Sequence, residues 1–304
     1  NAYSKELVAE SLVIQTKVFE IAGSEVNLAS PKQLGEVLFD TLKLDPKAKK
    51  TKTGQYATGE EVLSKLAGEH EIAKLILDFR ELQKLNSTYV EKMPHNVSKI
   101  DNRIHTSYNQ AVAATGRLSS VNPNLQNIPI RTARGREIRK AFIPSDENHI
   151  LYAADYSQIE LRIMAAFSQD QSMINAFKNG VDIHSNTASK VFGVDLADVT
   201  ADHRRQAKMV NFGLIYGISP FGLAQRLGIK RGAAKEIVDN YFEQFSAVKT
   251  YMDKVVNEAR DNEYVETILG RRRYLPEINS RNQTQRGFAE RNAINAPIQL
   301  SLIH

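Results

Sequence analysis

Four side chains set four residues apart have the chemistry to grip a polyphosphate at one end and a planar base at the other. Arg204, Lys208, Phe212 and Tyr216 recur through Arg204-Arg205-Gln206-Ala207-Lys208-Met209-Val210-Asn211-Phe212-Gly213-Leu214-Ile215-Tyr216-Gly217. On an α-helix this interval puts each side chain one turn beyond the last, in a slowly winding stripe that is cationic first and aromatic afterwards. At about 1.5 Å per residue the stripe is roughly 18 Å long, the span from a triphosphate to a base. Cations hold phosphate oxygens, and ring faces pack on a sugar and a stacked base. The structural alternative is a solvated basic face with Phe turned into a core. One face is rarely both, and Met209, Val210, Leu214 and Ile215 supply a separate apolar face for burial.

A second chemistry-bearing group is Asp155, which follows the apolar run Ile150-Leu151-Tyr152-Ala153-Ala154. A carboxylate at the end of a buried strand is well placed to hold Mg²⁺. The competing reading is a helix cap for the segment that follows. In that segment Ser157 and Glu160 have the spacing of a capping box. Asp182-Ile183-His184 reads as a helix start, where a His usually caps or lies at the surface.

The elements that must position these groups are legible in outline. Thr200 with Asp202 starts the striped helix, and Gly217 with Ser219-Pro220 stops it. Gly213 inside it costs about 1 kcal/mol relative to Ala, so a close approach to the backbone is expected there. Helical spacing covers residues 3 to 22, with Leu7, Leu12, Ile14 and Phe19 facing inward. Ser30-Pro31 begins a second helix, Thr58-Gly59-Glu60-Glu61 reads as a capping box before a third, and residues 70 to 92 make a fourth. Between the second and third lies a basic loop containing Lys43, Lys47, Lys49, Lys50 and Lys52, either a solvated surface or a phosphate contact. Strand-like pieces follow at Arg103 to Tyr108, Ala111 to Ala114, Ile138 to Ile143 and Ile150 to Ala154. Residues 167 to 284 are predominantly helical, interrupted by the basic turn Gly270-Arg271-Arg272-Arg273-Tyr274-Leu275-Pro276, a low-specificity candidate for phosphate contact. In the last stretch Arg291, Asn295 and Gln299 share a helix face that Pro297 kinks or ends.

At 304 residues and 42% hydrophobic composition, the chain has enough apolar side chain for a substantial core and divides into more than one unit. Its formal charge of +5 favours an anionic partner. It contains no Cys, which excludes disulfides and thiolate zinc sites and suits a reducing compartment. No apolar run reaches the ~18 residues of a membrane span, and no signal peptide opens the chain. Because the first residue is Asn1 and not Met, a longer product is expected ahead of it.

Taken together, the Arg204–Gly217 stretch resembles the nucleotide-binding fingers helix of family A DNA polymerases, the bacterial DNA polymerase I type. The likeness runs from residue 3 to residue 299. It includes Asp155-Tyr156-Ser157-Gln158-Ile159-Glu160-Leu161-Arg162, which matches the family's first metal-binding motif. It also includes Thr115-Gly116-Arg117-Leu118-Ser119-Ser120 with Asn124-Leu125-Gln126-Asn127-Ile128-Pro129, and the Arg291 to Gln299 pattern. The resemblance implies an α+β, right-hand polymerase fold: a helical thumb (1–102), an antiparallel-sheet palm begun by 103–166 and resumed by 285–304, and helical fingers (167–284).

It further implies template-directed addition of deoxynucleotides to a primer 3′-hydroxyl, with Mg²⁺ as cofactor, primer-template DNA and deoxynucleoside triphosphates as partners, a monomer, and a cytoplasmic location away from membranes. In the implied roles Asp155 and Lys208 are catalytic, with Asp155 and Tyr156 at the metal. His184, Arg204, Lys208, Phe212, Tyr216, Glu160 and Gln158 bind nucleotide, Glu160 by blocking a ribose 2′-hydroxyl. Arg117, Asn124, Gln126, Asn127, Arg291, Asn295, Gln299, Lys49, Lys50 and Lys52 meet DNA, Arg117 in the minor groove, where acceptors present on every pair let a donor sense correct pairing. The family's second essential Asp comes from a His-Asp-Glu hairpin, and this sequence contains no His-Asp-Glu. After Gln299 it reads Leu300-Ser301-Leu302-Ile303-His304, where the family continues differently.

The serious rival is therefore a primer-template-binding chain that extends nothing. A single-subunit RNA polymerase is disfavoured by Glu160. A palm without its remaining strands is expected to show an unpaired edge and exposed apolar surface.

Overall fold

The computed structural model describes residues 2–301, and Asn1, Leu302, Ile303 and His304 lie outside them. The described residues divide into two units, one formed by 2–109 with 119–151, the other by 110–118 with 152–301. The segment 103–166 is thus shared between the two.

The first unit is built on α1 (Ala2–Ala22), laid against α4 (Glu71–Lys84). Val18 and Ala22 on one side and Ile72, Ala73, Ile76 and Phe79 on the other share a core with Leu34 and Leu38. Leu7 is fully buried in an adjoining cluster with Leu82, Leu85, Tyr89 and Ile138. Leu12, expected to face inward, is 55% exposed; the buried stripe of α1 runs instead through Leu7, Ser11, Val18 and Ala22.

Ser30 caps α2 (Pro31–Gly35) through Gln33 N, with proline in the first turn as expected. Gly59, not Thr58, caps α3 (Glu60–Leu66), so the expected capping box does not form. Thr58 is used elsewhere, accepting from the half-buried Arg80 at its carbonyl (2.5 Å) and at its hydroxyl (3.4 Å). Past Lys84 the fourth helix widens into a π-helical turn over Leu85–Val90.

The only ladder of the first unit among the described residues joins β1 (Ser107–Asn109) to β2 (Ser119–Val121), antiparallel, with Tyr108 opposite Ser120. Two of the expected strands are overturned here. Ala111 to Ala113, in the stretch assigned to the second unit, form bends and Ala114 a turn, and Ile138 lies in the helix α5 (Ala133–Arg139), which Thr132 caps through Gly135 N. The cap and the helix-favouring Ala-Arg-Glu-Arg content outweigh the β-branched signal of Ile138 and Ile143.

Ile150–Ala154 is not a strand either. Ile150, Leu151 and Tyr152 are 82%, 67% and 83% exposed, and no described residue pairs with them. Strand hydrogen bonds are inter-segment by nature, so apolar composition alone does not make one.

In the second unit, helices α6 (Ile159–Ser168), α7 (Gln171–Lys178), α8 (Ile183–Phe192), α9 (Ala201–Ile215), α10 (Pro220–Leu227), α11 (Arg231–Gln244), α12 (Ser246–Asn262) and α13 (Gln283–Ser301) enclose one core. Leu161, Met164, Val210, Leu214, Tyr241, Phe245, Val248, Ala293 and Ile298 all belong to it. A short antiparallel ladder, β3 (Tyr264–Glu266) with β4 (Arg272–Tyr274), packs beside α12 and α13. Helix α13 runs through Pro297 to Ser301, so of the expected end or kink the end does not occur. Pro297 forfeits one helical hydrogen bond, but Ala296, Pro297, Ile298 and Leu300 are all buried, and Ser301 ties the last turn down by accepting from Ile268 N at 3.0 Å.

Candidate functional site

Helix α9 is the frame of the site. Thr200 caps it by accepting from His203 N, and the His203 ring answers at Thr200 N, a reciprocal box that sequence had pointed to only at Thr200. Ala207, Val210, Asn211, Gly213, Leu214 and Ile215 are buried, while Met209 is only half-buried. Arg204 and Lys208 are exposed and Phe212 and Tyr216 half-buried, so the stripe does lie along one accessible side. Phe212 and Tyr216 stand at 6.4 Å between ring centroids with a 22° interplanar angle. The close approach expected at Gly213 is made by the chain itself: a Cβ there would lie 2.9 Å from Ile218 Cγ2. At Gly217, with φ +68°, a Cβ would lie 2.7 Å from Arg291 Cγ, so Arg291 of α13 packs directly on the end of α9.

Beneath the cationic end lies a buried polar relay. His184, neither a cap nor at the surface, is fully buried on α8. Its Nε2 is 3.1 Å from Gln158 Oε1, and its Nδ1 is 3.1 Å from Nδ2 of the equally buried Asn211. Asn211 Nδ2 also reaches Thr187 Oγ1 at 3.0 Å. Burial pulls the His184 ring down to about 4, with the nearby Arg204 and Lys208 charges adding to the effect and Asp182 opposing it. The imidazole is therefore neutral at physiological pH. Gln158 holds its place in the left-handed region (φ 53°), uncommon for a residue with a side chain.

Asp182 was read from sequence only as a helix start. It does cap α8 through Ser185 N (2.8 Å), and it also takes the Arg204 guanidinium side-on, Nε at 3.0 Å and Nη2 at 2.8 Å. Burial resists its ionisation most strongly, yet the donors from Arg204 and Ser185 together hold the carboxyl down at about 2.

Tyr216 is the meeting point at the aromatic end. Its hydroxyl donates to Glu160 Oε2 at 2.5 Å, also bonds Gln299, and lies within the field of Arg117. Burial, reinforced by the Glu160 carboxylate, pushes the phenol up to about 12. The capping box expected of Ser157 and Glu160 is absent, because α6 is capped by Gln158 without a side-chain bond and Glu160 is committed to Tyr216.

Asp155 is exposed and lies ahead of the cap of α6, so the helix-cap alternative fails. Tyr156 is 75% exposed. No hydrogen bond or ion pair among the described residues joins Asp155 to Lys208. Their link is indirect: Gln158, three residues after Asp155, meets His184, which feels the Lys208 charge.

A hard carboxylate in the open fits one ligand's share of a Mg²⁺ site, since that ion takes one or two carboxylates and completes its shell with water and substrate phosphates. Among the described residues no three His, Asp or Glu side chains converge as a full set of metal ligands.

Three further predicted residues are placed by their neighbours. Arg117 is exposed in a loop whose Gly116 (φ +70°) lies against Arg271, leaving 2.5 Å between an added Cβ and Nη1. Arg291 is exposed and Asn295 half-buried, with its Oδ1 a buried atom lacking a partner.

In the first unit the basic loop is an ordered miniature hairpin. Lys50 bridges Tyr56 with its ammonium 4.6 Å from the ring centroid, Thr51 N bonds Gln55 O at 2.7 Å, and Lys49, Lys50 and Lys52 all face solvent. The amide-rich loop spends part of its donors and acceptors on itself: Gln126 Oε1 takes Ser120 N (3.0 Å), Asn124 Oδ1 takes Gln126 N (3.0 Å), and the Asn127 carbonyl accepts from Tyr89.

Sequence reasoning missed Asn211, Thr187 and the pairing role of Asp182. A signal for Asn211 was present: it falls on the α9 face of Ala207 and Leu214, where a polar side chain needs a buried partner.

A sequence model described as DNA polymerase family A matches residues 1–302, beyond the point at which the motif likeness ends. DNA polymerase I of Geobacillus stearothermophilus is 54% identical over 97% of this chain, and that of Pseudomonas aeruginosa 51% identical over 97%. The chain spans 33% and 32% of the length of those two relatives. A solved structure, the POL domain of Pol1 from M. smegmatis in complex with DNA primer-template and dNTP, superposes with a TM-score of 0.90 at 46% identity, over 99% of this chain and 53% of that one. Both units, mixed helical with small antiparallel sheets, thus follow a fold already known for a polymerase domain, and the chain belongs to DNA polymerase family A.

Proposed function

We propose that this chain carries the nucleotide-binding and primer-template-binding part of a DNA polymerase that adds deoxynucleotides to a primer 3′-hydroxyl and releases pyrophosphate, in replication or repair. The observation that carries the reading is the accessible stripe of α9 with partners fitted to each end. Arg204 and Lys208 supply positive charge above a neutral, hydrogen-bonded His184, and Tyr216 is bonded to Glu160 and Gln299. Primer-template and deoxynucleoside triphosphate are the partners named for the M. smegmatis structure, and we assign the same classes here.

In this reading Arg204 and Lys208 hold the triphosphate oxygens, Phe212 lies against sugar and base, and Tyr216 borders the templating position. Glu160 stands where a ribose 2′-hydroxyl would come, and Arg117, Arg291 and Gln299 steady the duplex end. Lys208, a cation beside the developing pyrophosphate charge, stabilises the leaving group. Asp155 with Tyr156 would hold Mg²⁺, which would supply acidification of the primer hydroxyl and charge neutralisation. In the first unit, Lys49, Lys50 and Lys52 with Asn124, Gln126 and Asn127 meet the duplex backbone and groove.

We take the subdomains to be thumb (1–102), palm (103–166 and 285–304) and fingers (167–284), working as a monomer in the cytoplasm. Among the described residues no helix is long and apolar enough to cross a membrane.

A second reading is that this stretch binds primer-template without itself extending it, since the sequence supplies Asp155 but no His-Asp-Glu. Two assays on one preparation separate the readings. Mg²⁺-dependent primer extension, run beside a chain lengthened at its C-terminus by the corresponding relative's sequence, tests synthesis. Fluorescence titration of labelled primer-template tests binding. Salt-sensitive binding with extension only by the lengthened chain selects the second reading for this stretch, and absence of binding by both chains refutes the first and the second together.

A further inference from the structure

We infer that Asn211 fixes the tautomer of His184, so that the neutral imidazole carries its proton on Nε2 and aims it at the Asp155–Gln158 segment; Asn211 is thereby a positioning residue for the phosphate end of the site. The inference rests on the nucleotide-binding reading only in its second half.

The hydrogen-bond count decides the tautomer. Thr187 Oγ1 has one proton and two acceptors in reach, the Ile183 carbonyl of the preceding turn at 2.9 Å and Asn211 Oδ1 at 3.1 Å, and the nearer carbonyl takes it. Its oxygen is then an acceptor for Asn211 Nδ2 at 3.0 Å. The amide nitrogen has a second proton, and His184 Nδ1 lies 3.1 Å away to receive it. A ring nitrogen that accepts carries no proton, so in the neutral ring the proton is on Nε2, 3.1 Å from the acceptor Gln158 Oε1.

Turning the Asn211 amide over would set its oxygen between Thr187 and His184 and leave one amide proton with no acceptor in this network. Asn211 is fully buried, where an unmet donor is costly. The groups bearing on the ring from its neighbours are Asp182, Arg204 and Lys208, and the two cations join burial in keeping it neutral.

The consequence is chemical. A neutral Nε2–H serves an amide oxygen and a phosphate oxygen alike, whereas a bare Nε2 would repel both. Because Asn211 is on α9 and Gln158 precedes α6, the hydrogen-bonded series Asn211–His184–Gln158 couples the striped helix to the segment that holds Asp155.

The test uses the whole chain labelled with ¹⁵N-histidine, with the His184 resonances assigned by their loss in His184→Gln. In the ligand-free protein at neutral pH, Nδ1 is expected at a bare, pyridine-like shift and Nε2 at a protonated, pyrrole-like shift. The opposite pattern overturns the proposal without reference to activity. In Asn211→Asp the carboxylate draws the proton to Nδ1, so the pattern inverts and affinity for inorganic tripolyphosphate and for a deoxynucleoside triphosphate falls roughly tenfold. Asn211→Ser, too short to bridge to Nδ1, gives the same loss of affinity should the Asp variant not fold. An inverted tautomer with unchanged affinity removes the positioning role. A wild-type chain with the expected tautomer that binds neither ligand instead refutes the nucleotide reading.

Discussion

Replacing Gly217 by Ala measures how much of the site's aromatic end depends on the seam between α9 and α13. Gly217 has φ +68°, and so does Gly228, which ends α10. Alanine in the left-handed region costs ~1–2 kcal/mol at either position. The two differ in their surroundings. At Gly228 nothing lies within 4 Å of an added Cβ, whereas at Gly217 Arg291 Cγ, Cδ and Cβ lie at 2.7, 3.3 and 3.6 Å. The overlap is with the root of the side chain, not its tip, so relief requires the whole of Arg291 to move, an overpacking cost of ~1–3 kcal/mol.

Gly228→Ala should thus lose ~1–2 kcal/mol and Gly217→Ala about twice that. At ~2–4 °C per kcal/mol for a unit of this size, thermal unfolding separates the two variants by several degrees. Primer-template titration gives the functional counterpart: Gly217→Ala weakens binding and Gly228→Ala does not. Adding Arg291→Ala to Gly217→Ala should recover the extra loss of stability. Equal losses in the two glycine variants, or no recovery in the double variant, would refute the packing of Arg291 on Gly217.

Acid should weaken the second unit in two stages. The His184 ring titrates near ~6.5 when unfolded and at about 4 when folded, so the unfolded chain binds more protons between those values and stability falls as pH drops through that window. The Asp182 carboxyl, held at about 2, contributes stability above its unfolded value near ~3.9 that is lost below it. Denaturant midpoints across pH should show both stages, and His184→Gln should abolish the first.

Replacing Lys49, Lys50 and Lys52 together by Gln should reduce the slope of log affinity against log salt by up to ~2.7, at ~0.9 per phosphate contact, with a stability loss no greater than the ~0.5–1 kcal/mol of the Lys50–Tyr56 contact. An unchanged slope would return the loop to solvated surface. Leu161→Ala, at a fully buried position on α6, should cost ~2–5 kcal/mol in urea unfolding. A loss under ~1 kcal/mol would show that the core relaxes around it.

The sequence alone determined whatever depends on spacing within one segment. The stripe Arg204, Lys208, Phe212, Tyr216 shares one side of α9 because a helix repeats every 3.6 residues whatever surrounds it. The Thr200 and Ser30 caps formed because capping is local. Family membership was equally legible, since it rests on residue strings.

Only tertiary structure decided what depends on a partner from elsewhere in the chain. Ile150–Ala154 has strand composition but no strand beside it among the described residues, and Thr58 left its capping box for Arg80. Glu160 left its own for Tyr216, 56 residues away. His184, read as a cap or surface residue, is buried between Gln158 and Asn211 because α8 and α9 pack face to face. A side chain's periodicity tells which way it points, but the group it meets there is fixed by long-range packing, and that packing sets its charge, its tautomer and its use.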